Sequence, residues 1–220
     1  MPTTDQIAHA KRVRKAFFDD PVRFVSNTIL MTAYANMNGR ANGGQVSFAI
    51  VRTSDYEGKR FMGQSIPVFQ VVDGSGFGDG AFNGYWCPYD NNALNSTSLW
   101  KHGDALFTDR MDGCTFGVGS VGKGGAVRVC HVNQNKFQIS ANDTAAMEKA
   151  QHDLALADLG QGAKLFEPAN YRRKDIEKGG LAAVTFGVRD RKKNTWAFYS
   201  QLTEGGGMNP FILRAVKKVA

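Results

Sequence analysis

Between Gln45 and Leu202 the chain is a succession of short β-prone runs parted by glycine-bearing turns, and this rhythm restricts its fold more than any other feature. The runs are Val46 to Val51, Val68 to Val72, Ala105 to Thr108, Thr115 to Val118, Ala126 to Val132, Leu181 to Val188 and Thr195 to Leu202. With 25 glycines against 6 prolines, the connections are tight turns between strands and not a proline-rich spacer. The charged segment from Arg189 to Asn194 reads as a hairpin turn joining the last two runs.

Helical spacing interrupts the pattern in three places. Ile7, Ala10, Val13, Ala16 and Phe17 recur on one face behind a threonine pair, Thr3 and Thr4, suited to capping. Asp20 and Pro21 open a second helix, with Val22, Phe24, Val25 and Ile29 following. Asn142 and Asp143 cap a third, in which Ala146, Met147, Ala150, Leu154 and Ala157 lead to a stop at Gly160. Pro210 to Val219 fits either a strand or a short helix. The order of elements predicts an α+β fold: a single domain over residues 1–220, built as a sandwich of mixed or antiparallel β-sheets flanked by helices, with a helical segment at 1–40 packed on it. No linker, internal repeat or low-complexity tract divides it.

A hydrophobic share of 42% and a charged share of 21% are those of a globular protein. The net charge of +7 favours acidic partners, yet no zinc-ligand spacing, aromatic RNA-binding signature or recognition helix accompanies it, so dedicated nucleic-acid binding is not expected. The cationic residues are scattered from Lys11 to Lys218, with one run at Arg172 to Lys174. Three cysteines, Cys87, Cys114 and Cys130, are an odd number in a chain this long and are expected as reduced thiols. No apolar run reaches membrane-spanning length, and the polar N-terminus lacks the core of a cleavable signal. The glycine-rich stretch from Asp73 to Gly84 lacks the lysine of a phosphate loop and is read as turn chemistry. With Tyr85 and Trp86 it is expected to shape a substrate surface, and Asp112 is a further candidate contact.

The chemistry-bearing constellation is Cys114, preceded by Gly113, with His131 on the run that returns after a glycine-broken turn. A thiol is nucleophilic as its thiolate, and an adjacent imidazole is one of the few groups that generates it near neutral pH. Gly113 permits close approach of a substrate, and main-chain N–H groups at Gly113 and Cys114 can face a developing oxyanion. Thr108, six residues before the cysteine, is the candidate orienter, its hydroxyl accepting the imidazole N–H. A zinc site from Cys114, Cys130 and His131 is disfavoured, because neighbours 130 and 131 point to opposite faces of a strand. No metal or organic cofactor is expected.

Thr108, Gly113-Cys114-Thr115 and His131 together resemble the glutamine deamidase superfamily of the cytotoxic necrotizing factors, the Burkholderia lethal factor and the chemotaxis-receptor deamidases. The resemblance is confined to Asp104 to Gln134 and departs at Asp112, where the toxins usually carry serine. It implies a cofactor-independent sandwich of mixed sheets that converts a glutamine of a target protein to glutamate. It also implies a bacterial toxin or effector, made in the bacterial cytoplasm and delivered to a host cell, with a host GTPase or translation factor as substrate. Transglutaminase and cysteine protease chemistry remain open on the same residues. From a different class, a non-catalytic basic protein that binds nucleic acid or an acidic protein partner is the alternative.

Overall fold

A computed structural model describes residues 1–32, 37, 44–137, 144–171, 181–206 and 209–220. Helix α1 (Thr4–Asp19) starts at a capping box in which the Thr3 hydroxyl accepts the Gln6 N–H and the Gln6 side chain accepts the Thr3 N–H. It buries Ala10, Val13 and Phe17 of the predicted stripe, while Ile7 is half-buried and Ala16 exposed. Helix α2 (Pro21–Ser26) has proline in its first turn and Asp20 accepting the Arg23 N–H. It ends sooner than its apolar spacing suggests: Asn27 and Thr28 bond back to the carbonyls of Arg23 and Phe24, and Ile29 opens strand β1 (Ile29–Met31).

The next strands are β2 (Gly44–Arg60), β3 (Ser65–Asp73), β4 (Phe82–Cys87), β5 (Leu94–Leu99), β6 (Ala105–Thr108), β7 (Thr115–Val121) and β8 (Val127–Val132). Helix α3 (Ala145–Leu159), strand β9 (Lys164–Phe166) and the short α4 (Pro168–Tyr171) follow, and β10 (Ala182–Asp190), β11 (Thr195–Gly206) and β12 (Asn209–Lys218) end the chain. The segment that fitted strand or helix is therefore a strand. The expected caps Asn142 and Asp143, like the Arg172 to Lys174 run, lie outside the described residues. Thr144, at the start of α3, bonds the Glu148 carboxylate instead of capping the backbone, and Gly160 stops the helix at φ 89.

The architecture corrects the expected α+β sandwich flanked by helices. The chain is mostly β. Its larger sheet runs β1-β3-β2-β12-β11-β10-β6-β4, and β4 pairs back onto β2, so six of these strands close into a barrel. The long β2 makes the closure. Its start pairs antiparallel with β4 at Gly44 to Phe48 and its end pairs parallel with β12 at Gly58 to Arg60, while a shift in register between Thr53 and Gly58 bends the strand between them. Alternation along a run reports which side chains point inward, but not which distant strand will pair, so closure has no local signal.

Successive residues of the barrel strands serve two cores. Phe48, Phe82, Trp86, Phe107 and Phe186 gather with Phe17 of α1 and Val25 of α2. The opposite face, with Tyr85, Leu106, Ala183, Phe198 and Leu202, packs on a second sheet of order β5-β8-β7-β9. Helix α3 covers the far side of that sheet, setting Ala155 against Cys130 and Val132. Gly117 allows this approach, since a Cβ there would lie 2.6 Å from Leu159 and 2.9 Å from the Cys130 sulfur. Strands β7 and β8 are thus buried between the barrel and α3. No helix among the described residues is long and apolar enough to cross a membrane.

One buried side chain fastens the N-terminal segment to the barrel. Gln201 of β11 donates to the carbonyls of Val25 (2.7 Å) and Thr28 (2.8 Å) and accepts the Leu30 N–H at 2.8 Å. Gln201→Leu would leave these buried backbone groups unmatched, and each orphaned group costs about 1–3 kcal/mol. We expect a loss on the order of 4 kcal/mol in urea unfolding with an unchanged m-value. A loss under about 1 kcal/mol would show that the backbone groups find other partners.

Candidate active site

The β7–β8 hairpin pairs Thr115 with Val132, Phe116 with His131 and Gly117 with Cys130. Residues opposite one another in an antiparallel pair share a face, as do residues two apart on one strand. Cys114, Phe116 and His131 therefore lie on the face turned to the barrel, while Thr115, Gly117, Cys130 and Val132 face α3. Extending the register by one step places Asn133 opposite Cys114, and the Asn133 amide Nδ2 does lie 3.5 Å from the Cys114 sulfur. Cys114 and His131 are diagonal neighbours on that face, an arrangement within reach of an imidazole.

Both are enclosed, with 0% and 1% of their surfaces exposed. Neither ring nitrogen of His131 makes a well-aligned hydrogen bond among the described residues, although the Cys87 backbone lies near enough to favour the charged ring. Burial outweighs that contact and lowers the imidazole to about 4. The ring is neutral near pH 7. Tyr89 packs on it at 5.7 Å between centroids, and the phenol is itself raised by burial first and then by the nearby Cys114 and by carboxylates. Tyr89 is half-buried, so its ring reaches from His131 toward solvent.

The loop before β7 is clamped from outside the sheet. Gln151 of α3 donates to the Gly113 carbonyl at 2.9 Å and accepts the Thr115 hydroxyl at 2.8 Å. The Tyr171 hydroxyl donates to the Cys114 carbonyl at 2.7 Å, and its ring stacks on Phe166. These contacts hold the main chain on both sides of the sulfur. Asn133 is in turn fixed by accepting the N–H groups of Asn92 and Asn135 at 3.1 and 3.3 Å. Asn133, Gln151, Tyr171 and Tyr89 are absent from the sequence reading. Two of them carried a signal: Asn133 is two positions beyond His131 on a strand, and Gln151 falls midway between the buried Met147 and Ala155 at four-residue spacing.

Thr108, fully buried, ends β6 opposite Cys87 and donates its hydroxyl to the carbonyls of Asp109 (2.9 Å) and Thr185 (3.4 Å). It makes no bond to His131 in this state. Asp112 is exposed, so its carboxylate is solvated rather than sealed in with the sulfur. One expectation is corrected. Tyr85 and Trp86 shape no surface: at 4% and 1% exposure they are core residues of β4, which is sandwiched between β2 and β6. The glycine-rich stretch between β3 and β4 packs on α1, where Lys11 and Arg14 hold Asp79. Cys87 and Cys130 are buried thiols outside any disulfide; burial raises both, Cys130 to about 12. No cluster of three or more metal-ligating side chains exists among the described residues.

No protein-family profile matches the chain, and no curated protein matches it. Among solved structures, the C-terminal domain of CNFy from Yersinia pseudotuberculosis superposes with a TM-score of 0.47 at 11% identity, over 97% of this chain and 98% of that one. A likeness at that level leaves the chemistry to be read from this chain's own residues.

The depressed imidazole has a measurable consequence. Unfolded histidine titrates near 6.5, so between that value and about 4 the unfolded chain binds more protons than the folded one. The stability owed to the neutral ring is complete above about pH 6.5 and is lost as pH falls toward 4. Between neutral pH and about pH 4, wild type should lose on the order of 3 kcal/mol more than His131→Leu, which has no ring to charge. Urea unfolding of both proteins at the two pH values measures the difference. Equal acid sensitivity would mean that the ring is hydrated or protonated in the fold.

Proposed function

We propose that the protein is a thiol-dependent protein glutamine deamidase with Cys114 as nucleophile, His131 as proton carrier and Thr108 as orienter. The observation that carries this reading is the Cys114–His131 pair on one buried sheet face, with an amide donor at the sulfur and, among the described residues, no well-aligned hydrogen bond at either imidazole nitrogen. Buried polar atoms are rarely left without a hydrogen bond, and catalytic sites are among the places where they are. The sequence resemblance at Thr108, Gly113-Cys114-Thr115 and His131 points to the same chemistry.

A neutral imidazole is the form able to take a proton. As the sulfur attacks the glutamine carboxamide carbon, the thiol proton passes to His131 and the carbonyl becomes an oxyanion. N–H groups at Gly113 and Cys114 are the proposed oxyanion donors, while Gln151 and Tyr171 keep that backbone from moving by occupying its carbonyls. Collapse of the tetrahedral adduct breaks the C–N bond, and the imidazolium gives its proton to the departing ammonia. Water, deprotonated by the same ring, then hydrolyses the thioester to glutamate and restores the thiol. The Thr108 hydroxyl donates elsewhere but keeps acceptor capacity for an imidazole N–H. The site's enclosure requires Tyr89 to swing aside before a side-chain amide can enter. The substrate class that follows from the resemblance is a protein, and the setting a toxin or effector.

Cys114→Ser and His131→Ala should each lower turnover by about 10³-fold or more while leaving far-UV spectra and target binding unchanged, and Thr108→Ala should lower it less. The assay maps lysate proteins by mass for glutamine-to-glutamate conversion, with ammonia release and chain cleavage followed in parallel. Ammonia release without cleavage or amine incorporation identifies the deamidase; incorporation would mean a transglutaminase, and cleavage a protease. Undiminished activity in Cys114→Ala would remove the thiol from the mechanism.

A further inference from the structure

A groove of about 1090 Å³ lies between α1 and the β10–β11 turn. It is remote from Cys114, because Val188 on its floor pairs with Ala105 at one end of β6, whereas Ala183 bridges Met111 at the other end of β10. The floor is apolar, formed by Phe18, Val188, Ala197 and Tyr199. The walls are cationic. Lys11, Arg12, Arg14 and Lys15 descend from α1, and Arg189, Arg191 and Lys192 rise from the turn.

These charges are unequally matched. Lys11 pairs with Asp79 at 3.1 Å, Lys15 with Asp19 at 2.5 Å and Arg191 with Asp104 at 2.5 Å. Asp190 is engaged by the N–H groups of Lys192 and Lys193 and, at 3.8 Å, by the Lys193 ammonium. Every carboxylate in the groove thus has a cation. Among the described residues Arg12, Arg14, Arg189 and Lys192 have no carboxylate within ion-pair distance. Two of the four are nevertheless fixed in position by neutral acceptors. Arg14 donates to the carbonyls of Asp79 (2.9 Å) and Ala81 (2.8 Å), and Arg189 donates to the Lys101 carbonyl and to Asn194 Oδ1. A guanidinium held by neutral oxygens keeps its full charge and loses little further freedom when an anion docks against it.

We propose that this groove docks an acidic, amphipathic segment of a protein partner. Its apolar side chains lie on Phe18, Val188 and Tyr199, and its carboxylates meet Arg12, Arg14 and Arg189. The floor and the four resident carboxylates select against a nucleic acid, whose phosphates recur every ~3.4 Å per strand and carry no apolar face to offer. The acidic partner that the net charge of +7 suggests thereby acquires a specific location.

The test uses the full chain and fluorescein-labelled peptides read by anisotropy. One probe is built of glutamate and leucine with the leucines on one helical face; a second replaces leucine by serine at equal charge. A third competitor is an oligodeoxynucleotide of matched charge. The first peptide should bind at least about tenfold tighter than the second, and Arg12→Glu/Lys192→Glu should weaken it about tenfold or more. Among the described residues neither of those two side chains has a hydrogen-bond or ion-pair partner, so the double variant should fold as wild type. Lys164→Glu, on the exposed edge strand β9, should leave binding unchanged, and so should Cys114→Ser, which separates this site from the catalytic reading. Equal binding of both peptides, equal competition by the oligonucleotide, or unchanged affinity in Arg12→Glu/Lys192→Glu would each overturn the proposal.

Discussion

The register of β7 against β8 is the constraint on which the rest of the site depends. Both faces of this hairpin are covered, one by the barrel and the other by α3, so each alternate side chain has a fixed destination. A slip of one residue would send His131 toward α3 and turn Cys130 to the barrel, parting the imidazole from Cys114. Three contacts oppose that slip. Gly117 admits Leu159 only at its own position, Gln151 reads the Gly113 carbonyl and the Thr115 hydroxyl together, and Asn133 meets the sulfur. The packing that stabilises the hairpin is therefore the same packing that sets Cys114 and His131 on one face.

That packing also decides the protonation state. An imidazole sealed from water and without a carboxylate partner is more stable uncharged, which is why His131 is held low. A resting thiolate–imidazolium pair would require the charge that burial disfavours; a neutral pair, with the proton moving as the sulfur attacks, does not. For the proposed thiol chemistry, burial thus favours a general-base route over a preformed ion pair.

Local chemistry was legible in the sequence, and long-range pairing was not. The Thr3 cap, Pro21 in a first turn and Gly160 at a helix end each depend on neighbours within a few residues and occur as read, and the turn read from Arg189 to Asn194 is a hairpin whose first two residues still pair in β10. Strand β5, with Asn95, Ser96, Thr97 and Ser98, lacks an apolar alternation because β8 and the barrel supply its burial. Closure through β2 joins Gly58 to Phe211, an encounter that no window along the chain can register. Tyr85 and Trp86 misled for a related reason. Beside a glycine-rich stretch they look like a surface, until pairing with β2 and β6 places them inside. Cys114 and His131 could be set on one face by counting, but Gln151 and Tyr171 reach them only through tertiary packing.

Strand β10 ties the two functional regions together and also keeps them apart. It runs from the bridge at Ala183, beside Met111, to the groove at Val188 and Asp190, a span of roughly 16–24 Å at the usual rise of a strand. No side chain in the groove can take part in bond making at that distance. What an occupied groove can supply is binding energy remote from the reacting atoms. In the proposed deamidase such energy would offset the cost of moving Tyr89 off His131 before any chemistry begins. The exposed positive charge lies where it can capture a partner, and the uncharged pair lies where a solvated cation would hinder proton transfer. The barrel separates the two requirements by placing them at opposite ends of one strand.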